Sequence, residues 1–175
     1  PAVTSQRSDF FVPLACTWEV LAPKVGNVHP QAKFRDMSHV DFLMSGTAIT
    51  PVMQKAVGRP LGETILEAIQ ATRRVVKTNT NLGIVLLLAP LASVPEGEDL
   101  QTGVEKVLNS TTIQDSVHVY EAIRLAIPGG LGEKDDQDVH KTPTKAFREI
   151  MISAASYDQI AAEYANGFLN IFQLG

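Results

Sequence analysis

The chain has 175 residues, 45% hydrophobic and 19% charged, with a formal net charge of -4. That composition supports one buried core and excludes a disordered chain; the acidic balance supplies no basic field, so nucleic acid is not an expected partner, while a local pocket for a phosphorylated small molecule stays open. One cysteine, Cys16, excludes an internal disulfide, and no Cys/His cluster has zinc-site spacing. With no signal-like N-terminus and the one long apolar stretch interrupted by Pro90 and Pro95, the expectation is a cytoplasmic protein that does not enter a membrane.

Helical periodicity runs through nearly every segment. The first helix is expected over Ser8 to Leu21, with Pro13 tolerated in its opening turns and Pro23 ending it. Ser38 and Asp41 form a capping-box pattern for a second helix, with a kink at Pro51. A third helix buries Leu61, Ile65, Ala68, Ile69, Thr72, Val75 and Val76, and carries Glu63, Glu67, Arg73 and Arg74 on its other face. After Pro95 to Asp99, a short helix turns Leu100, Val104, Val107 and Leu108 inward. Thr112 and Asp115 predict another capping box, for a helix ending before Pro128. Thr142 with Pro143 at the first helical position marks the next start, and a last helix from Ser156 buries Ile160, Ala161, Tyr164, Phe168 and Ile171. No strand is expected. The fold class is all-α, a single multi-helix domain over 1–175 with seven or eight helices.

The junction Thr78-Asn79-Thr80-Asn81-Leu82-Gly83 with Ile84-Val85-Leu86-Leu87-Leu88-Ala89 carries the most information. The apolar run is too short to span a bilayer and has no polar face, so it predicts a central, nearly inaccessible helix. Its first N–H groups then lie where water reaches poorly, fronted by amides and hydroxyls, which suits either an N-cap closed by Asn81 or an anion seat.

Other clusters point the same way. Gly26 beside Asn27, and Gly130 and Gly132, permit close backbone approach to a ligand, and Lys24 adds a positive charge suited to phosphate; each loop also reads as a helix C-terminal turn. Neither has the spacing of a Walker loop or a dinucleotide fingerprint. Asp36, Asp41, Glu63, Asp115, Glu121, Glu133 and Asp138 offer hard oxygen ligands near loop junctions or beside apolar helix faces, although capping already accounts for Asp41 and Asp115. Glu19, between Trp18 and Val20 in the first helix, needs a partner if it faces the core. Cys16 has no evident base, and Ser45 and Ser153 lack a nucleophile elbow, which disfavours covalent hydrolysis.

Taken in order, Glu19-Val20, Lys24-Val25-Gly26-Asn27-Val28, Asp36-Met37, Asp41-Phe42, Ser45, Gly62-Glu63, Asn79-Thr80 with Gly83, and Gly130-Leu131-Gly132-Glu133 resemble the triphosphoribosyl-dephospho-CoA synthase family across most of the chain. The resemblance implies an all-helical transferase that condenses ATP with 3'-dephospho-CoA and releases adenine. It also implies roles. Asp36 and Glu63 would hold Mg²⁺; Lys24 and the N–H groups near Asn79, Thr80, Asn81 and Gly83 would hold the triphosphate. Glu19 or Glu63 would stabilise an oxocarbenium-like centre, and Asp41 or Glu133 would serve as base. Glu19, Lys24, Asp36, Glu63, Asn79 and Glu133 are then expected to line one cleft. Where the family shows K-P-G, N-T-H-K-G and G-x-R-G-E, this chain has Val25, Leu82 and Leu131, so two phosphate-binding cations are missing from those motifs. That pattern fits a diverged branch, and the alternative is a non-catalytic helical protein binding a phosphorylated nucleotide-type cofactor in another pathway. Family chains are longer, and Phe172-Gln173-Leu174-Gly175 follows directly on an apolar helix, so a further C-terminal helical portion is expected; the apolar end leaves room for a homo-oligomer.

Overall fold

The computed structural model describes residues 6–22, 38–126, 139 and 141–174. These residues form helices α1 (Gln6–Leu21), α2 (His39–Met53), α3 (Leu61–Val75), α4 (Leu82–Ala92), α5 (Leu100–Asn109), α6 (Ile113–Ala126), α7 (Phe147–Ala154), α8 (Gln159–Asn166) and α9 (Leu169–Leu174), with no strand among them. The all-α expectation holds. One apolar core joins Val12 and Cys16 of α1, Ile49 and Met53 of α2, Ile65 and Ile69 of α3, Val85 and Ala89 of α4, Val104 and Leu108 of α5, Val119 of α6, Phe147 of α7 and Tyr164 of α8. Each large aliphatic side chain removed from water there contributes about 1.5–3 kcal/mol before entropy is counted.

Both capping boxes form. The Asp41 carboxylate accepts from the Ser38 N–H at 2.7 Å and the Ser38 hydroxyl at 2.9 Å. Asp115 Oδ2 accepts from the N–H and hydroxyl of Thr112, both at 2.7 Å, and Oδ1 accepts from the Gly62 N–H at 2.8 Å. That second bond ties the start of α6 to the start of α3 and accounts for a carboxylate that is only 3% exposed.

Three starts and stops differ from expectation for identifiable reasons. α1 begins at Gln6, so Pro13 sits inside the helix. The cost of an interior proline, about 3 kcal/mol, is met by packing: Val12, Cys16 and Val20 are all buried. α7 begins at Phe147 and not at Pro143. The backbone ahead of it is engaged elsewhere, since Ser116 donates to the Lys145 carbonyl at 2.7 Å, and the Phe147 and Arg148 N–H groups donate to the Thr112 carbonyl and the Thr111 hydroxyl. Tertiary partners therefore override the Thr142-Pro143 signal. The expected last helix divides into α8 and α9 at Gly167 and Phe168, which both have positive φ, although Tyr164 and Phe168 stay buried as expected.

α4 is central but not sealed. Val85 and Ala89 are inaccessible, while Ile84, Leu87 and Leu88 are half-buried. The helix continues through Pro90 to Ala92. Pro90 has no N–H to give the Leu86 carbonyl one turn earlier; the Tyr164 hydroxyl donates to that carbonyl instead, at 2.6 Å. Burial pushes the Tyr164 phenol far above its ordinary pKa, so it stays a donor. Among the described residues no helix is long and apolar enough to cross a membrane.

Candidate functional site

Helix directions decide which motifs can meet. α3 and α6 start side by side through the Gly62–Asp115 bond and pack along one another. α2 runs against α3, to which a short turn joins it, and α1 runs against α2, with Cys16 at Gly46 and Val20 beside Phe42. The C-terminal ends of α1, α3 and α6 and the N-terminal end of α2 thus share one end of the bundle. The start of α4 joins them. Asn81 Nδ2 donates to Thr72 Oγ1 near the end of α3 at 2.9 Å, and the Thr80 and Ser45 hydroxyls are hydrogen-bonded to each other. Ser45 Oγ also contacts the Asp41 carbonyl at 2.7 Å.

The helix start itself is built differently from a simple N-cap. Asn79, not Asn81, supplies the cap: its Oδ1 accepts from the Leu82 N–H at 3.1 Å. Asn81 occupies the N-cap position without capping, because its amide is turned to Thr72. It is 3% exposed, and its Oδ1 is buried with no hydrogen-bond partner. The buried orphan Asn81 Oδ1 places a hydrogen-bonding demand at a helix start, where the helix dipole favours an anion. Gly83 has a packing reason as well, since a Cβ there would lie 3.2 Å from Ile160 Cδ1 of α8.

The predicted residues divide by position. Asn79, Thr80, Asn81 and Gly83 belong to this helix start, and Asp41 lies one turn ahead of Ser45 on α2. Glu19 is half-buried beside Val20, which packs on Phe42, the neighbour of Asp41. Lys24, Gly26, Asn27, Asp36, Gly130, Gly132 and Glu133 lie outside the described residues. The helices preceding those two segments, α1 and α6, both finish at the end of the bundle where α4 starts.

Glu63 is elsewhere. It sits in the first turn of α3, about 14 Å of helix rise before Thr72, so the expected single cleft does not hold Glu63 together with Asn79. Its carboxylate is exposed and pairs with Arg59 at 3.1 Å, while Glu67 takes the same guanidinium at 2.7 Å. A cavity of about 440 Å³ opens near that guanidinium, lined by Arg59, Leu61, Ser93, Val107, Thr112 and His118 among others. Among the described residues no three His, Cys, Asp or Glu side chains gather as metal ligands. Of the two residues assigned to magnesium, Asp36 lies outside the described residues and Glu63 is paired with Arg59. Glu63→Gln is expected to leave nucleotide affinity within about twofold of wild type, as for a surface substitution away from the ligand. A tenfold loss by calorimetry, with unchanged melting temperature, would return Glu63 to the site.

Sequence reasoning passed over Thr72, Arg73 and Lys77. Thr72 reads as a core position, and its hydroxyl matters only because Asn81 reaches it. Arg73 donates to the Lys77 carbonyl, closing the turn after α3. Burial pushes the Cys16 thiol up to about 11, and nearby Glu19 pushes the same way, which favours the protonated form over the nucleophilic thiolate.

Comparison with curated proteins and with solved structures returns no match. A family model described as ATP:dephospho-CoA triphosphoribosyl transferase matches residues 6–175. With nearly the whole chain matched and the helical architecture in place, the protein belongs to the ATP:dephospho-CoA triphosphoribosyl transferase family, a family of transferases.

Proposed function

We propose that this enzyme condenses ATP with 3'-dephospho-CoA and releases adenine, at the end of the bundle where α4 starts. The family match over residues 6–175 carries the reading, and the gathering of Asp41, Ser45, Thr80 and Asn81 supports its location. In the reaction, the 2'-hydroxyl oxygen of dephospho-CoA bonds to the anomeric carbon of the ATP ribose as the bond to adenine breaks, and the hydroxyl proton passes to a base. Glu19, in the same neighbourhood, is the carboxylate assigned to the positive charge that develops on the sugar, and Asp41 the candidate base. Asp41 already accepts from Ser38 through Oδ2, so Oδ1 is the oxygen to take a proton. Magnesium belongs to this scheme as the counter-ion of ATP, carried in with the substrate. The reading places the enzyme in the cytoplasm, with its substrates.

The test is chromatographic. The full chain, given ATP, magnesium and 3'-dephospho-CoA, is expected to release free adenine in step with loss of dephospho-CoA, and to release none when the acceptor is withheld. Adenine release from neither dephospho-CoA nor related nucleotide acceptors, by a folded preparation, sinks the transferase reading in favour of a protein that only binds a phosphorylated nucleotide-type cofactor. The absence of cations at Leu82 and Leu131 is the observation favouring that second reading.

A further inference from the structure

The turn between α3 and α4 carries more positive charge than its own contacts use. Arg73 and Arg74 close α3, and Lys77 follows two residues after it. In a chain of net charge -4, none of the three has a carboxylate partner among the described residues, where the ion pairs involve Arg59, Lys106 and Arg148. Arg73 is half-buried and spends one donor on the Lys77 carbonyl, which fixes its side chain against this turn. Lys77 is exposed. Arg74 differs, because its spacing from Glu63 and Glu67 puts it on the outer face of α3.

The same turn leads within five residues to the start of α4, where Asn79 caps only the Leu82 N–H. There the Asn81 amide, 3% exposed, has one atom bonded to Thr72 and the other without a partner. The pair is reversible. Turned over, Asn81 Oδ1 accepts from the Thr72 hydroxyl and Nδ2 becomes the free group, an N–H donor beside the helix N-terminus. Backbone N–H groups, an amide donor and two cations without a carboxylate partner among the described residues are the donors that an anion with several phosphoryl groups requires.

We propose that Arg73 and Lys77, with Asn81 and the start of α4, bind the polyphosphate chain of the substrate. This rests on the transferase reading for the identity of that substrate, but not for the existence of the seat. The bland account of two arginines in a last helical turn is favourable interaction with the helix dipole, worth about 0.3–1 kcal/mol, and it predicts that Arg73 and Arg74 behave alike.

Inorganic tripolyphosphate is the probe, titrated by calorimetry into the full chain at low and moderate salt. Wild type is expected to bind it, more weakly as salt rises. Arg73→Gln with Lys77→Gln is expected to weaken binding by tenfold or more, Lys77→Gln alone to weaken it measurably at an exposed position that does not threaten the fold, and Arg74→Gln to leave it unchanged. No binding by wild type, equal binding by the double variant, or an equal loss in Arg74→Gln overturns the proposal. Adenine release measured on the same preparations separates the two readings: release that the double variant does not slow sinks the polyphosphate seat alone, and tripolyphosphate binding without release in wild type sinks the transferase reading alone.

Discussion

Gly62→Ala is expected to destabilise the protein by about 3 kcal/mol, lowering the melting temperature by roughly 6–12 °C. A Cβ at that position would lie 2.4 Å from the Asp115 carbonyl oxygen, 2.5 Å from its Cα and 2.8 Å from its carbonyl carbon. All three are backbone atoms of a neighbouring helix start, so no rotamer change relieves the contact. α3 and α6 would have to separate, lengthening the Gly62–Asp115 hydrogen bond and loosening the buried carboxylate that also caps α6. Alanine's better helix propensity returns at most about 1 kcal/mol. Gly62 belongs to the Gly62-Glu63 motif, and the packing account makes it a structural member. The check is urea and thermal unfolding of the variant beside adenine release measured at low temperature, where the folded fraction should retain its activity. A variant as stable as wild type that releases no adenine would instead put the glycine at a ligand.

Much of the fold was legible because local signals and tertiary packing agree. The two capping boxes at Ser38 and Thr112 formed as their spacing demands, and α3 buries Leu61, Ile65, Ala68, Ile69 and Thr72 on the face that periodicity assigns. The sequence misled where a tertiary partner outbid a local one. Thr142-Pro143 is a good helix start in isolation, yet the backbone just beyond it is held by Ser116, Thr111 and Thr112. No local pattern records that those three residues lie nearby. The break at Gly167 was readable in principle, since glycine favours the left-handed conformation it adopts there, but the apolar spacing of Tyr164, Phe168 and Ile171 masked it.

The candidate site was legible in part for a similar reason. Asn79 to Gly83 announced a helix start of unusual polarity, and that feature survives, with Asn79 instead of Asn81 as the capping side chain. Glu63 was grouped with it because motif order says nothing of direction along a helix. A residue in the first turn of α3 and one just past its last turn are close in sequence order of motifs and far apart along the bundle. The same helix explains the opposite omission: Arg73 and Lys77 belong to no motif, yet the end of α3 delivers them to the start of α4.

α4 holds that start in position, and its anchorage gives the second large expected effect. Tyr164→Phe removes the donor to the Leu86 carbonyl, leaving an acceptor inside the core with no N–H from Pro90 to replace it. The expected cost is about 1–3 kcal/mol, with the ring packing against Phe147 and Phe168 retained. Pro90→Ala restores an N–H at the helical position that addresses the Leu86 carbonyl. In the wild-type background that new donor competes with Tyr164; in the Tyr164→Phe background it repairs the loss. The double variant should therefore be more stable than the two single changes predict by addition, with a coupling of about 1 kcal/mol or more in a double-mutant cycle measured by urea unfolding. Because Asn79 to Gly83 ride on α4, Tyr164→Phe should also weaken tripolyphosphate binding, and Pro90→Ala should restore it together with stability. Additive effects on unfolding would show that the tyrosine hydroxyl does not stand in for the proline's missing N–H, and binding that ignores the cycle would detach the helix start from the anchorage of α4.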